Sequence, residues 1–471
     1  MVSADDGSAA DASSDDSLRS GVGRRLTRRR LLLAGGVALG AWGVGRMRTA
    51  APTATATPDG TWPVAGRDAT RTSAARGATP PSAPSVAWRQ RPVPAVDSLV
   101  VGPEQVYVGS QRRDNRAPQV AALARDDGTV QWTEQAPGTR LAYADGAVYA
   151  TGTAADERDT DDREPPYGSV ARLDATTGET RWRRPVRDRG ERLLLSRRTV
   201  YVGSHSGLEA VSRDSGRRVF RGQTWGAPTT PLLVDGSLVL TGGRVGKYGA
   251  RRWSEVVRKR LPTPVWTRNP VGYTLDPVVV TDATSGSELI ATGTLGMYND
   301  DVQTVRAHAL SDGTRRWNAV DAASRADPTV VKELCAAENR LFHALRTGTD
   351  AQRRRALVCR EATTGTLQWR ASFSNWLRAV VVAGDLVLAG TRWDGVSPAG
   401  PGEVEAGAST DDTPPPGRVT AFTLDGEGRW RVPISGSVAH VVPVANRVFV
   451  GTDDASYGGR TARPGQVIAL E

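Results

Sequence analysis

From about residue 61 to the C-terminus, short apolar runs alternate with turns rich in Gly, Asp and Thr, and the runs recur in groups of four. Each group reads as an apolar strand, a turn, a second strand such as Val106-Tyr107-Val108-Gly109 or Val200-Tyr201-Val202-Gly203, a variable loop, a third strand, a tight turn and a fourth strand ending in tryptophan. Runs this short, rich in Val and Tyr and bounded by turn residues, predict strands. Four strands in a unit of roughly 40–60 residues is the sequence form of a propeller blade. The third and fourth strands repeat most clearly. Val120 to Trp132, Val170 to Trp182, Ala307 to Trp317 and Cys359 to Trp369 each place a glycine (Gly128, Gly178, Gly313, Gly365) four positions before the Trp.

A hairpin explains that spacing. Glycine takes the φ > 0 position of a tight turn without a Cβ penalty. Four residues later, the Trp on the outer strand can lie over the neighbouring blade's turn, burying a large aromatic area. Small residues such as Ala122, Ala210 and Ala307 leave room for the ring. Two repeats are worn: Phe220 follows Gly216 where Trp is expected, and Trp266 is reached through Arg258-Lys259-Arg260-Leu261-Pro262 without a glycine turn. Gly426 precedes Trp430 after one long insertion. The outer-strand aromatics are then Trp88, Trp132, Trp182, Phe220, Trp266, Trp317, Trp369 and Trp430, one for each of eight blades.

The chain ends in what reads as a third strand, Gly465 to Glu471, with no turn or Trp after it, and Ser85-Val86-Ala87-Trp88 stands orphaned before the first complete blade. Joining the two in one blade leaves no open sheet edge. The expected fold is therefore all-β: an eight-bladed propeller over 61–471 of four-stranded antiparallel blades, its ring closed by terminal strands sharing the last blade. No helix longer than about two turns is expected in it.

These residues resemble the pyrroloquinoline-quinone-like (PQQ-like) propeller repeat, whose motif Ala-x-Asp-x-x-Thr-Gly-x-x-x-Trp is best matched by Asp174, Thr177, Gly178 and Trp182, with Arg172 where Ala is expected. The opening Trp62-Pro63-x-x-Gly66-x-Asp68 is also similar to the usual start of such domains. The resemblance covers about 61–471. It implies a propeller, in a family holding both quinoprotein alcohol dehydrogenases and BamB-like assembly factors, so it does not decide function.

Charge adds little. The net charge of +10 is carried by arginine, the only lysines being Lys247, Lys259 and Lys332. With no nucleic-acid motif or Arg-aromatic ladder, no nucleic-acid partner is expected. Cys335 and Cys359 fall on the inner and third strands of one blade, two strand spacings or about 9.5 Å apart, which predicts two free buried thiols.

The first 60 residues carry an address. A polar leader (1–30) contains Arg28 and Arg29, and an apolar segment (31–45) follows them, which resembles a twin-arginine export signal. A Thr/Ala/Pro linker (46–60) comes next. The expectation is export by that route to an extracellular or periplasmic location. About 15 apolar residues are short for a spanning helix, so cleavage near Ala54-Thr55-Ala56 and anchoring on the outer face of the cytoplasmic membrane both stay open.

Candidate chemistry is sparse. The quinoprotein dehydrogenases that the repeat resembles carry adjacent cysteines and a calcium held by Glu, Asn and Asp. This chain has no adjacent pair and no assignable cage, and its acidic run, Asp156 to Glu164, is interleaved with arginine like a solvated loop. The four histidines (His205, His308, His343, His440) sit in separate repeats and are expected at edges or in the core. No catalytic or metal-binding residue is assigned.

Strand order instead puts the long loops (110–118, 153–168, 243–251, 392–417, 452–465) on one face, with Tyr167, Tyr248, Trp393 and Tyr457 as aromatic candidates. The expectation is a monomeric, non-catalytic scaffold that needs no cofactor and binds a protein, peptide or cell-surface partner through that face. The alternative is a quinoprotein dehydrogenase of alcohols or sugars, with PQQ and calcium in the central funnel.

Overall fold

The computed structural model describes residues 50–111, 117–153, 168–223, 229–251, 253–268, 273–282, 285–295, 305–320, 329–347, 354–392, 417–453 and 465–471. Eight four-stranded antiparallel sheets follow one another along the chain, and neighbouring blades contact in ring order, the eighth returning to the first. The inner strands are, from the first blade to the eighth, Ser98–Val101, Arg140–Ala144, Arg192–Leu195, Thr230–Val234, Tyr273–Thr281, Thr329–Ala337, Trp376–Ala383 and Ser437–Val444. The chain is an eight-bladed β-propeller, and its single described helix, Trp253–Val257, is five residues long. Among the described residues no helix is long and apolar enough to cross a membrane.

The termini close the ring as their pattern predicts. Val86–Gln90 is the outer strand of the eighth blade and pairs antiparallel with Val467–Leu470, Val86 opposite Leu470 and Trp88 opposite Ala469. Ser85 and Glu471 exchange backbone hydrogen bonds of 2.8 and 3.0 Å, so the last strand's donors and acceptors are satisfied where a hairpin would stand elsewhere.

Trp docking joins each blade to the next. The indole N–H groups of Trp88, Trp132, Trp182, Trp266, Trp317 and Trp369 donate to the carbonyls of Arg125, Ala175, Arg213, Leu310, Ala362 and Leu424, in the following blade's hairpin, at 2.8–3.3 Å. The ring then covers the turn glycine. A Cβ on Gly178, which sits at φ +77°, would stand 2.7 Å from the Trp132 ring, so the turn conformation and the docking both require glycine there. Opposite the aromatic, the third strand carries Ala122, Ala210, Ala307, Cys359, Ala421 or Ala469 in six blades, with Arg172 and Lys247 in the other two.

The two aromatics that depart from this docking precede blades without a glycine turn. Phe220 faces the fourth blade, where the 249–263 connection and its short helix replace the turn, and the Arg251 guanidinium lies 5.0 Å from the ring centre. Trp430 faces the eighth blade, whose turn is replaced by the chain ends, and its indole nitrogen is buried without a hydrogen-bond partner.

One expectation is corrected. The segment 243–251 is not a long loop: Val245–Tyr248 is the third strand of the fourth blade, paired with Ser237–Thr241 and Pro264–Arg268. The insertion falls after this strand, on the face of the tight turns. Tyr248 accordingly stands at the turn end, half-buried against the core between the third and fourth blades, and not on the long-loop face. A strand of four residues has too little alternation to be told from a loop by its pattern.

Candidate functional site

The opening motif becomes the floor of the central funnel. From Trp62 to Thr79 the chain runs as a strap beneath the inner strands and is hydrogen-bonded to seven blades in ring order. Trp62 exchanges backbone bonds with Val101 of the first blade, Pro63 accepts from Tyr143 of the second, and Ala69, Thr70, Thr72 and Ser73 accept from Leu233, Val279, Ala336 and Val382 of the fourth to seventh. Thr79 donates to Ala445 of the eighth, and Thr53, upstream, accepts from Arg197 of the third. Asp68 sets the path: its carboxylate accepts from the backbone N–H and hydroxyl of both Thr70 and Thr72. Gly66 lets the strap fold on itself, since a Cβ there would stand 2.9 Å from that of Arg71.

Above the floor lies a cavity of about 660 Å³, walled by the inner strands of seven blades and reaching the long-loop side at Gln111, Thr139, Arg189, Arg392 and Asp453. Irregularities in the inner strands aim side chains into it. Pairing is interrupted between Lys332 and Cys335 in the sixth blade, between Leu377 and Ala379 in the seventh and between Val438 and His440 in the eighth. The residues thus left out of the ladder or beside the break include Lys332, Glu333, Arg378 and His440, all of which line the cavity. A bulge turns a side chain away from its strand's regular alternation, and here it delivers charge to the funnel.

The lining is strongly cationic. Arg71 rises from the floor, Arg140 and Arg192 open the inner strands of the second and third blades, Arg189 precedes the latter, and Lys332, Arg378 and Arg392 come from the sixth and seventh. These seven cations face four carboxylates, Asp97, Glu191, Glu333 and Asp453, an excess of three positive charges among the described residues. Arg392 and Asp453 form an ion pair at 3.6 Å, and Arg140 donates to the carbonyls of Asp97 and Thr139 at 3.1 and 2.7 Å. Burial, and then repulsion from Arg192, lower the Arg140 pKa to about 10. Burial, with Arg140 and Arg378 close by, pushes His440 down to about 4, so it is neutral at pH 7.

The residues singled out from sequence are distributed otherwise. The docking aromatics and turn glycines stand around the periphery, away from the cavity. Arg28, Arg29, Tyr167, Trp393 and Tyr457 lie outside the described residues, as does most of the long-loop sequence. Cys335 and Cys359 are free and buried on either side of Phe342, in the core between the sixth and seventh blades. Burial raises both thiols, Cys359 to about 12. His440, expected at an edge or in the core, is a cavity-wall residue. One sequence signal pointed to the cavity: a basic residue opening or interrupting an otherwise apolar inner strand, as in Arg140-Leu-Ala-Tyr, Arg192-Leu-Leu-Leu and Leu377-Arg378-Ala-Val.

With the architecture and its centre defined, the chain can be placed as an eight-bladed propeller of four-stranded blades. Residues 78–246 match the family model described as outer membrane protein assembly factor BamB. Among solved structures, the chain is similar to BamB from Moraxella catarrhalis, with 15% identity, TM-score 0.53, and 82% of this chain and 99% of that one covered. It is also similar to the quinohemoprotein alcohol dehydrogenase ADHIIG from Pseudomonas putida HK5, with 12% identity, TM-score 0.60, and coverage of 88% and 80%. A europium-containing methanol dehydrogenase is a third, with 12% identity, TM-score 0.61, and coverage of 87% and 98%. At these identities the likeness shows the fold. No curated protein matches the chain.

The donor chemistry can be tested against the calcium–PQQ pair that the dehydrogenase branch implies. Calcium needs several oxygen ligands converging on one point. No group of three His, Cys, Asp or Glu that could hold a metal occurs among the described residues, and the cysteines are core residues, not funnel residues. Among the described residues the calcium half of the pair finds no such donor set.

Proposed function

We propose that the protein is an exported, non-catalytic propeller scaffold that binds a protein, peptide or cell-surface partner through its long-loop face. The observation that carries this reading is the polarity of the funnel. The strap floors one end, while the other reaches the loop face through a rim of charged and polar side chains, Gln111, Arg189, Arg392 and Asp453. Loops on a rigid scaffold are the usual place for recognition. Likeness to a BamB structure supports protein partners, and among the described residues no group of three His, Cys, Asp or Glu stands together to favour the calcium-dependent alternative.

Two measurements test it. A photo-crosslinking residue placed at Gln111 in the native host should give a discrete adduct, whereas one at Thr177 on the turn face should not; equal labelling from both faces would sink the reading. Incubation with PQQ and Ca²⁺ should give no dye-linked oxidation of alcohols or sugars. Turnover there would establish the dehydrogenase alternative.

A further inference from the structure

The scaffold reading leaves the charge at the centre unexplained. Gathering like charges in a concave, low-dielectric site is costly unless an opposite charge is supplied, and the same focusing raises the local concentration of counter-ions. Here Arg140 and Arg378 both stand close enough to lower the pKa of His440, Arg192 acts on Arg140 in the same direction, and Lys332 lies on the cavity wall 5.9 Å from the Trp376 ring centre. The Arg378 Nε is buried and has no hydrogen-bond partner. The four carboxylates of the lining are too few to neutralise it. We propose that the central cavity is a binding site for a compact, multiply charged oxyanion bearing phosphate or carboxylate groups, held chiefly by Arg140 and Arg378.

Size and chemistry agree with this occupant. A volume of about 660 Å³ falls within the roughly 300–1,000 Å³ of small-ligand sites. Guanidinium groups bind phosphate and carboxylate through charge-assisted, often bidentate bonds. His440 is neutral at pH 7 and offers a hydrogen bond without adding charge. The strap contributes Arg71 from below, so the anion would be held from the floor as well as from the walls of seven blades. The proposal rests on the loop face being the binding face and names the chemistry that its centre receives.

The test titrates the purified full chain with sodium pyrophosphate and, separately, with sodium citrate at constant ionic strength, by calorimetry and thermal unfolding. Saturable binding of either, with a rise in Tm, is expected; pyrophosphate alone identifies a phosphate ligand, citrate alone a carboxylate, and both a site that reads charge. Arg140→Gln and Arg378→Gln should each weaken binding by about tenfold or more, and Arg378→Gln, whose Nε has no hydrogen bond to lose, should raise the Tm of the unliganded protein because the repulsion is relieved. Arg378→Lys, which keeps the charge, should bind within a few-fold of wild type and covers the case of a misfolded glutamine variant. Arg217→Gln with Arg218→Gln, at the periphery of the third blade, should change nothing. No saturable binding of either anion, or undiminished binding in both glutamine variants, would overturn the proposal. Because these titrations use no partner, their failure leaves the crosslinks at Gln111 standing, and loss of the crosslinks leaves anion binding standing.

Discussion

Around the periphery, six indoles dock by one geometry, each ring over a glycine turn and each N–H on a carbonyl of the next blade's hairpin. At the centre no such repetition exists. One strap spends a different residue on nearly every blade, and the charged lining comes from bulges and strand starts that differ from blade to blade. The periphery meets the same packing problem eight times and answers it alike six times, departing only at Phe220 and Trp430, where the facing turn is missing. The centre is built once. What repeats is what holds blades together, and what does not repeat is what distinguishes this propeller from another with the same ring.

The largest effect should come from breaking closure. Truncation after Arg463 removes Val467–Leu470, opening the eighth blade and stranding Val86–Gln90 with its unpaired backbone groups. Deleting 62–79 would strip backbone partners from seven blades. Both variants should lose the cooperative unfolding transition seen by circular dichroism; a retained transition with native midpoint would show that blades hold the ring without either device.

Asp68→Ala should come next. It removes the acceptor of four hydrogen bonds that shape the strap and should cost about 3 kcal/mol in denaturant unfolding. A cost below about 1 kcal/mol would mean that the strap is positioned by its blade contacts alone.

Acid sharpens the contrast between the centre and an ordinary core. Both His440, in the cavity, and His308, in the fifth blade's third strand, are held near pKa 4, in each case first by burial and then by arginines. For His440 these are Arg140 and Arg378, partly offset by Asp97, and for His308 they are Arg306, Arg315 and Arg268. Between pH 6.5 and 4 the unfolded chain binds the proton and the folded chain does not, so stability falls as pH falls through that window. His440→Gln and His308→Gln should each flatten this loss, by up to about 3 kcal/mol at pH 4. An unchanged profile in both variants would place the acid sensitivity in the carboxylates.

The smallest effect separates regular docking from its exception. Trp132→Phe loses the indole bond to Ala175, whereas Trp430→Phe has no such bond to lose. The first should be costlier by about 1 kcal/mol. Equal costs would show that docking stability comes from ring area alone.

Blade architecture was legible because its determinants are local. A glycine turn and a tryptophan four residues on, as in Gly178 to Trp182, lie within one hairpin, and eight copies average out worn ones such as Phe220. The orphan strand at Val86 and the unfinished one at Ile468 were likewise readable as two parts of one blade, since a four-strand unit leaves a countable remainder at each end. The same counting failed at Tyr248, where the fourth blade moves its insertion to the opposite face.

The site was not legible, and the reason is geometric. Arg71, Arg140, Lys332 and Arg378 are separated by dozens to hundreds of positions, and only closure of the ring makes them neighbours. A basic residue that opens or interrupts an apolar inner strand marks Arg140 and Arg378 in the sequence, but not which way its side chain turns, which for Lys332 and Arg378 follows from strand irregularities. Sequence by itself determined the blade, its number and its closure, because each rests on contacts between near neighbours or on a remainder at the ends. The tertiary structure alone decided that the opening motif is a floor and that scattered arginines share one cavity, because both arise from contacts between blades that no single repeat contains.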